Sequence, residues 1–298
     1  MAAIARWFNE WNWSDTDTAD TPMEFLTIFL SVLLGLVSPI GFVVDRVAEN
    51  AIREQFTDVE DLAVRIDNAP SYRFVQGRAD RVRIAGRGLY LTEAIRLAVL
   101  EVETDAIVLN PGSLRAGTPQ LEEPLQAAIR LVLTEADINQ ALQSETILGQ
   151  LGAINLGAFG GVNPEPYELL EPQVTFLAGD RVQLQVTLQG QQTGDRNQIT
   201  VESGLEIVNG RQFRLVSPSA SVNGSPLPSQ LIDFLVLGLN QRLDLANLEA
   251  SGITARVLKL EIDADADELT LASFIQVAPN ASLPAVGFHF PPSLARLN

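Results

Sequence analysis

The chain has 298 residues, and 46% of them are hydrophobic, which is enough for the core of one large domain or two small ones. Its net charge of −17 argues against nucleic acid as a partner and against adhesion to anionic lipid by bulk electrostatics. It has no cysteine, so disulfides, thiolate metal sites and a cysteine nucleophile are excluded.

The N-terminal part of the chain divides into two segments. Residues 1–24 form an acidic lead with tryptophans at positions 7, 11 and 13, a pattern that fits either a membrane interface or a mobile tail. Residues 25–44 follow with no charge, a length sufficient to cross a bilayer as a helix. This apolar segment predicts either a membrane anchor or a helix buried within the domain, and Pro39 is expected to kink it.

An amphipathic helix is predicted to continue the apolar segment as far as Phe56. Its apolar residues recur at helical spacing, with Asp45, Arg46, Glu49 and Arg53 on the opposite side. The apolar face consists of Val44, Val47, Ala48, Ala51 and Ile52.

Alternating strands are predicted after this helix. Leu62, Val64 and Ile66 alternate with polar residues, as do Val82 and Ile84, and further strands cover 97–108 and 125–133. Thr134 and Asp137 have the spacing of a capping box and predict a helix after the last of these strands.

The second half of the chain repeats the alternation more regularly. Strands are predicted at 182–188 and 199–207, and Asn209-Gly210 favours a tight hairpin turn to Phe213 and Leu215. A second apolar helix is expected at 231–239, with Leu231, Phe234, Leu235 and Leu239 on it, followed by strands at 253–262 and 269–277.

These elements predict an α+β fold for a domain at 45–280, followed by a C-terminal tail at 281–298. Strands that alternate indicate an antiparallel sheet with one dry face, and the two apolar helices are expected to pack on that face. No repeat or low-complexity linker divides the domain.

The sequence lacks the signatures of an enzyme or of a metal protein. There is no G-x-S-x-G, H-E-x-x-H, P-loop or dinucleotide motif, and the single histidine, His289, lies between two phenylalanines. The acidic run Asp263, Asp265, Asp267 and Glu268 lacks the EF-hand spacing and is interpreted as a turn. We therefore expect no catalysis, no cofactor and no metal.

A cluster of arginines is the local exception to the acidic composition. The stretch at 78–87 contains one acidic residue, Asp80, and four arginines: Arg78, Arg81, Arg83 and Arg87. Arginine binds phosphate oxygens in pairs, which suits a lipid headgroup. The alternative is that these side chains are the solvated face of a strand and pair with carboxylates such as Glu101 and Glu103.

Four phrases together resemble the LmeA-like family of phospholipid-binding domains. They are SPIGFVVDRVAENAIREQF (38–56), RADRVRIAGRGLYL (78–91), LTEADINQAL (133–142) and SGITARVLKLEIDADADELTL (251–271). The resemblance covers roughly residues 37–277. It implies a tubular lipid-binding (TULIP-like) fold, in which long helices pack on the concave face of a strongly curved antiparallel sheet.

The resemblance also implies a function and a location. It suggests a non-catalytic, membrane-associated protein of the cell envelope that binds or transfers phospholipid or glycolipid. Lipid tails would then contact the apolar faces of the two predicted helices: Val44, Val47, Ala48, Ala51, Ile52, Leu231, Phe234, Leu235 and Leu239. The alternative is a membrane-tethered domain with a filled core that binds a protein partner, whose identity the sequence does not indicate.

Overall fold

The structure is a computed structural model. It describes residues 49–50, 52–67, 77–115, 120–145, 147–148, 167–230, 232, 236, 244–279 and 281. Antiparallel strands dominate this part of the chain and form two large sheets and one small ribbon.

Sheet I has six strands in the order β1-β3-β4-β6-β13-β12, and every neighbouring pair is antiparallel. The N-terminal strands alternate apolar and polar residues as the sequence predicts. Its members are β1 (Asp58–Asp67), β3 (Arg81–Tyr90), β4 (Arg96–Thr104), β6 (Leu125–Thr134), β12 (Ile253–Asp263) and β13 (Glu268–Val277).

Sheet II has five strands in the order β11-β10-β9-β8-β7, again antiparallel throughout. Its members are β7 (Tyr167–Leu177), β8 (Arg181–Gly190), β9 (Arg196–Val208), β10 (Gln212–Val222) and β11 (Ser225–Pro226). A two-stranded ribbon joins β2 (Arg78–Ala79) to β5 (Ile107–Val108).

Local signals in the sequence set two of the connections. Asn209 and Gly210 have φ values of 53° and 69°, as a type I′ hairpin turn requires, and this turn places Phe213 opposite Ile207. Thr134 caps helix α2 (Glu135–Leu142), and the reciprocal bonds with Asp137 complete the predicted capping box. Both predictions are confirmed.

The expected packing of long helices on a curved sheet is wrong. The helical elements with both ends in the described ranges are short: α1 (Pro111–Arg115), α2 and a 3-10 helix (Leu245–Ser251). Described residues at 49–50, 52–53, 145, 147–148, 229–230, 232 and 236 are also helical. The helix predicted as far as Phe56 ends at Arg53. Helical spacing of apolar residues indicates that a segment can form a helix, but it does not indicate that the helix covers a sheet.

The inner face of sheet I is covered instead by short segments. Ile52, the β5 residue Ile107, the bridged pair Leu109 and Leu121, and Leu248 of the 3-10 helix all belong to its core. All of them are buried, and they pack with strand residues that include Leu62, Val64, Val82, Ile84, Leu100 and Val102. Sheet I therefore contains a filled core over its N-terminal strands.

The two large sheets meet along β12, the edge strand of sheet I. The Val257 N–H donates to the carbonyl oxygen of Gly210 at 2.6 Å, at the tip of the β9–β10 hairpin. The Ile262 N–H donates to Asp180 Oδ1 at 2.8 Å, in the turn between β7 and β8. Loop tips of sheet II thus satisfy backbone groups of an edge that would otherwise be open.

Strand β7 has no counterpart among the predicted strands. Glu171 (φ 51°) and Pro172 interrupt its alternation, and the register with β8 shifts between Leu170 and Gln173. A proline removes one ladder hydrogen bond, so it is tolerated at a bulge on an edge strand, where β7 lies. Because the bulge breaks the alternation of apolar and polar residues, the sequence pattern did not predict this strand.

Candidate functional site

One face of sheet II is almost entirely apolar. Fifteen positions lie on this face. Residue alternation within each strand and the pairing registers between strands both assign them to it. We call it the sheet II apolar face, and it consists of Leu169, Val174, Phe176, Val182, Leu184, Val186, Leu188, Ile199, Val201, Leu205, Ile207, Phe213, Leu215, Ala220 and Val222.

This face is much less covered than the core of sheet I. Phe176, Val186, Leu188, Ile199 and Ala220 are buried, and the remaining ten side chains are half-buried. Only Val186, Leu188 and Ile199 form a core cluster of their own. The face therefore leaves apolar area in contact with water, where a hydrocarbon ligand would remove it.

A half-buried row in sheet I continues toward the same junction. Leu131, Leu271 and Leu260 lie opposite one another on β6, β13 and β12, and all three are half-buried. Because β12 adjoins sheet II, the incompletely covered apolar surface extends to the line where the sheets meet.

Two proline-containing bulges shape sheet II. Glu171-Pro172 interrupts β7, and Ser217-Pro218 interrupts β10, where the register shifts between Val216 and Ser219. Ser217 has φ 46°, and the buried Ser203 hydroxyl opposite it lies 3.2 Å from the Val216 carbonyl oxygen. Bulges increase local twist and bend a strand, so β7 and β10 are expected to bend at these positions.

Helix α2 fastens the outer edge of sheet II to sheet I. Asn139 forms two hydrogen bonds to the backbone of Val174, and Glu135 Oε2 accepts the Phe176 N–H at 2.7 Å. On the other side, Arg96 of β4 donates to both carboxylate oxygens of Asp137 at 3.1 Å. These contacts hold β7, and with it one margin of the apolar face, in a defined position.

The guanidinium of Arg96 lies at the centre of a charged network. It donates to Glu60 as well as to Asp137, and it lies 5.8 Å from the ring centroid of Tyr90. Burial disfavours its charge, but the hydrogen bonds to Glu60 and Asp137 outweigh burial and raise the pKa of Arg96. Its surroundings are those of a structural ion pair.

Three of the predicted arginines, Arg81, Arg83 and Arg87, lie on the polar face of β3, away from the core, and Arg78 lies on β2. Arg81 forms an ion pair with Glu103 at 3.1 Å, as the alternative interpretation expects, and Arg83 pairs with Asp67. Arg78 lies 3.5 Å from Asp80. Arg87 is exposed, and the described residues place no carboxylate within ion-pair distance of it.

Asp67, the partner of Arg83, has a pKa below the ordinary aspartate value. The hydrogen bond from Arg65 is the largest cause that lowers its pKa, desolvation opposes it, and Arg83 adds a further lowering. The carboxyl group therefore stays ionised to more acidic pH than an isolated aspartate.

The arginine cluster is separated from the junction of the two sheets at β12. Four strand spacings separate β3 from β12, roughly 19 Å across sheet I. The second link between the sheets, through helix α2, reaches sheet I at Arg96 of β4, a residue outside this cluster.

Most of the predicted lipid-tail residues lie outside the described residues. Ile52 is the exception among Val44, Val47, Ala48, Ala51, Ile52, Leu231, Phe234, Leu235 and Leu239, and it is 1% exposed within the core of sheet I. The predicted apolar segment at 25–44 also lies outside them. In the part of the chain that the structure describes, no helix has the length and apolar character needed to cross a bilayer.

The acidic run near the C-terminus is the turn between β12 and β13, as predicted. Asp263 Oδ1 accepts the N–H groups of Asp265 and Ala266, a local arrangement that stabilises the turn. Across the described ranges, no group of three or more acidic or histidine side chains is placed to hold a metal ion.

The sequence contains the signal for the sheet II apolar face, although the face was not predicted as a site. The alternation at Val182–Leu188 marks an apolar side of a strand, but it does not report how completely that side is covered. How completely the face is covered depends on which segments pack on it in the folded chain, and residue alternation does not determine this packing.

The family comparison agrees with the resemblance in the four phrases. The model of the LmeA-like phospholipid-binding family matches residues 37–272, most of the chain and all the strands of both large sheets except the end of β13. No curated protein and no solved structure matches the chain significantly. The chain is thus a member of the LmeA-like phospholipid-binding family.

Proposed function

We propose that this protein holds phospholipid by its acyl chains on the sheet II apolar face, as a membrane-associated and non-catalytic lipid-binding or lipid-transfer protein. The observation that carries the proposal is the contrast in coverage: the inner face of sheet I is buried over its N-terminal strands, while ten side chains of the sheet II apolar face are half-buried. Membership of a phospholipid-binding family supports lipid as the occupant.

The energetics suit acyl chains. Removing one methylene from water contributes about 0.8 kcal/mol, so ten methylenes laid on this face give roughly 8 kcal/mol before the entropic cost of ordering the chain. The half-buried positions on neighbouring strands, such as Leu184 opposite Val201, offer a continuous surface for such contacts. The predicted helix residues outside the described ranges are proposed to line the remaining tail contacts: Val44, Val47, Ala48, Ala51, Leu231, Phe234, Leu235 and Leu239. Ile52 is not among them, because it is buried in the core of sheet I.

The headgroup part of the proposal concerns Arg78, Arg81, Arg83 and Arg87. Exposed ion pairs are worth about 0–1 kcal/mol, so a lipid phosphate can compete with Glu103 for Arg81. Arg87 forms no ion pair with a carboxylate of the described residues, so a phosphate would not have to replace such a partner. Since this cluster lies across sheet I from the junction of the two sheets, we propose that it contacts headgroups of the membrane surface and not the headgroup of a lipid held on sheet II.

Photo-cross-linking tests where the acyl chains lie. The full chain would be incubated with a phospholipid that carries a diazirine near the end of one acyl chain, irradiated and digested. We expect the modified peptides to come mainly from β8 and β9, with excess unlabelled phospholipid abolishing the modification. Labelling confined to peptides outside sheet II, or insensitive to competitor, would contradict the proposed site.

The alternative function is a membrane-tethered interaction domain with no lipid ligand. In that case the phospholipid probe would label the chain at random surface positions, and protein cross-linking would capture one stoichiometric partner. The half-buried state of the sheet II apolar face would then reflect a protein interface.

A further inference from the structure

Strand β12 carries a bulge at the edge of sheet I. Val257 lies opposite Ser273 and Lys259 lies opposite Ala272, so Leu258 is one extra residue with no partner on β13. Its side chain is 71% exposed, the larger of the two values among the exposed large hydrophobic residues of the described chain. The bulge therefore presents an isolated leucine to solvent at the rim of the sheet.

The bulge lies where the two sheets join. The preceding residue, Val257, donates its N–H to Gly210 at the tip of the β9–β10 hairpin. The side chain of Arg256 also approaches that tip, since a Cβ added to Gly210 would lie 3.6 Å from Arg256 Cδ. Leu258 is thus next to the line along which the half-buried row of sheet I meets sheet II.

The charge around the bulge differs from that of the whole chain. Lys259 pairs with Glu261 at 2.7 Å, Arg256 with Glu249 at 3.5 Å and Arg211 with Asp244 at 3.7 Å. Each of these three cations is balanced by one carboxylate, so the pairs carry no net charge in a protein of net charge −17; the exposed carboxylates of Asp180 and Asp263 lie farther along β12. An anionic bilayer repels such a surface less than it repels the average surface of the chain.

We propose that the Leu258 bulge is a contact point for the surface of a phospholipid bilayer, through which lipid passes between the membrane and the apolar surface beside β12. This inference rests on the proposed function, because a protein that holds phospholipid must take it from a bilayer. A leucine that enters the interface contributes by burial alone, so the contact is expected to change little with salt concentration.

The absence of cysteine makes the test specific, because a single introduced cysteine is the only thiol to label. Leu258→Cys in the full chain would carry an environment-sensitive fluorophore. Ser219→Cys is the matched control, since Ser219 is exposed, lies opposite Glu202 on the polar face of sheet II and is roughly 23 Å along β10 from the Gly210 turn. Phosphatidylcholine vesicles with one-fifth phosphatidylglycerol serve as the membrane.

We expect the label at position 258 to shift to shorter wavelength and brighten with vesicles, and the label at position 219 to remain unchanged. We also expect Leu258→Asp to slow transfer of a fluorescent phospholipid between vesicles by about ten-fold or more. Its equilibrium binding of a short-chain phospholipid in monomeric solution should equal that of the parent.

Several results would overturn the inference. They are equal responses of the two labels, no response at position 258, transfer by Leu258→Asp at the parental rate, or a vesicle-independent response caused by association of two copies of the chain. Failure of the parent protein to bind short-chain phospholipid would instead refute the proposed function, whatever the label at position 258 reports.

Discussion

The side-chain amide of Asn139 pairs with both backbone hydrogen-bonding groups of Val174. Its Nδ2 donates to the Val174 carbonyl oxygen at 2.9 Å, and its Oδ1 accepts the Val174 N–H at 2.7 Å. One residue of helix α2 thereby reproduces the bonds that a neighbouring strand would make to the free edge of β7.

Replacing this amide is expected to destabilise the protein. Asn139→Ala leaves a backbone donor and acceptor without partners at a half-buried position, which should lower the free energy of unfolding by about 1–2 kcal/mol. Urea denaturation measures the change. Gln140→Ala is the control, since Gln140 is exposed and donates only to the Glu93 carbonyl oxygen; a control variant as unstable as Asn139→Ala would contradict the assigned role.

The ion pair between Arg96 and Asp137 is expected to be worth more than the surface pairs. The side chain of Asp137 is 7% exposed, and Arg96→Met would leave this carboxylate buried without its cation. We expect a loss of about 2–4 kcal/mol by denaturant unfolding. Arg214→Met, in the exposed pair with Glu206, should cost less than about 1 kcal/mol, and equal losses in the two variants would refute the distinction.

The pKa of Asp67 gives a pH prediction. Because its pKa is lower in the folded chain than in the unfolded chain, its stabilising contribution is present above the ordinary aspartate pKa and is lost as pH falls through the folded value. NMR titration of the Asp67 carboxyl should show a midpoint below 3.8. Arg65→Gln removes the largest cause and should move that midpoint upward; an unchanged midpoint would show that Arg65 is not the cause.

The arginine cluster can be tested separately from the fold. Arg81→Glu combined with Arg83→Glu should weaken binding to anionic vesicles, and the loss should be greatest at low salt. The pairs with Glu103 and Asp67 are exposed, so the melting temperature should change little. Vesicle binding at the parental level would eliminate the proposed headgroup role of these residues.

The sheet II apolar face can be tested with two neighbouring residues of one strand. Leu184→Gln places an amide on the apolar face and should weaken binding of a fluorescent phospholipid by about ten-fold or more. Gln185→Ala alters the opposite face of the same strand and should bind as the parent does. The contrary outcome is a loss of binding caused by Gln185→Ala and none by Leu184→Gln.

Local patterns in the sequence predicted local structure well. The alternation at Val182–Leu188, the turn at Asn209-Gly210 and the cap at Thr134 all appear as expected, because each depends on neighbouring residues. The packing of long helices on the sheet was wrong, since helical spacing does not define what a helix covers. The division into two sheets follows from which strands pair with one another, with β12 and β7 each at a sheet edge, and no periodicity encodes that pairing.

The candidate site was less predictable than the fold. The arginines were visible as a cluster, but their pairing with Glu103 and Asp67 follows from the strand register of sheet I. The apolar residues of sheet II were visible as alternation, but their half-buried state depends on what the rest of the chain leaves uncovered.

Native mass spectrometry of the full chain, purified from cells without added lipid, tests the central claim most directly. The account predicts a mass increment of one or more phospholipids on the parent protein, and a strongly reduced occupancy on Leu184→Gln but not on Gln185→Ala. Lipid-free spectra of the parent under conditions gentle enough to retain a known lipid-binding control, or equal occupancy on all three proteins, would contradict it.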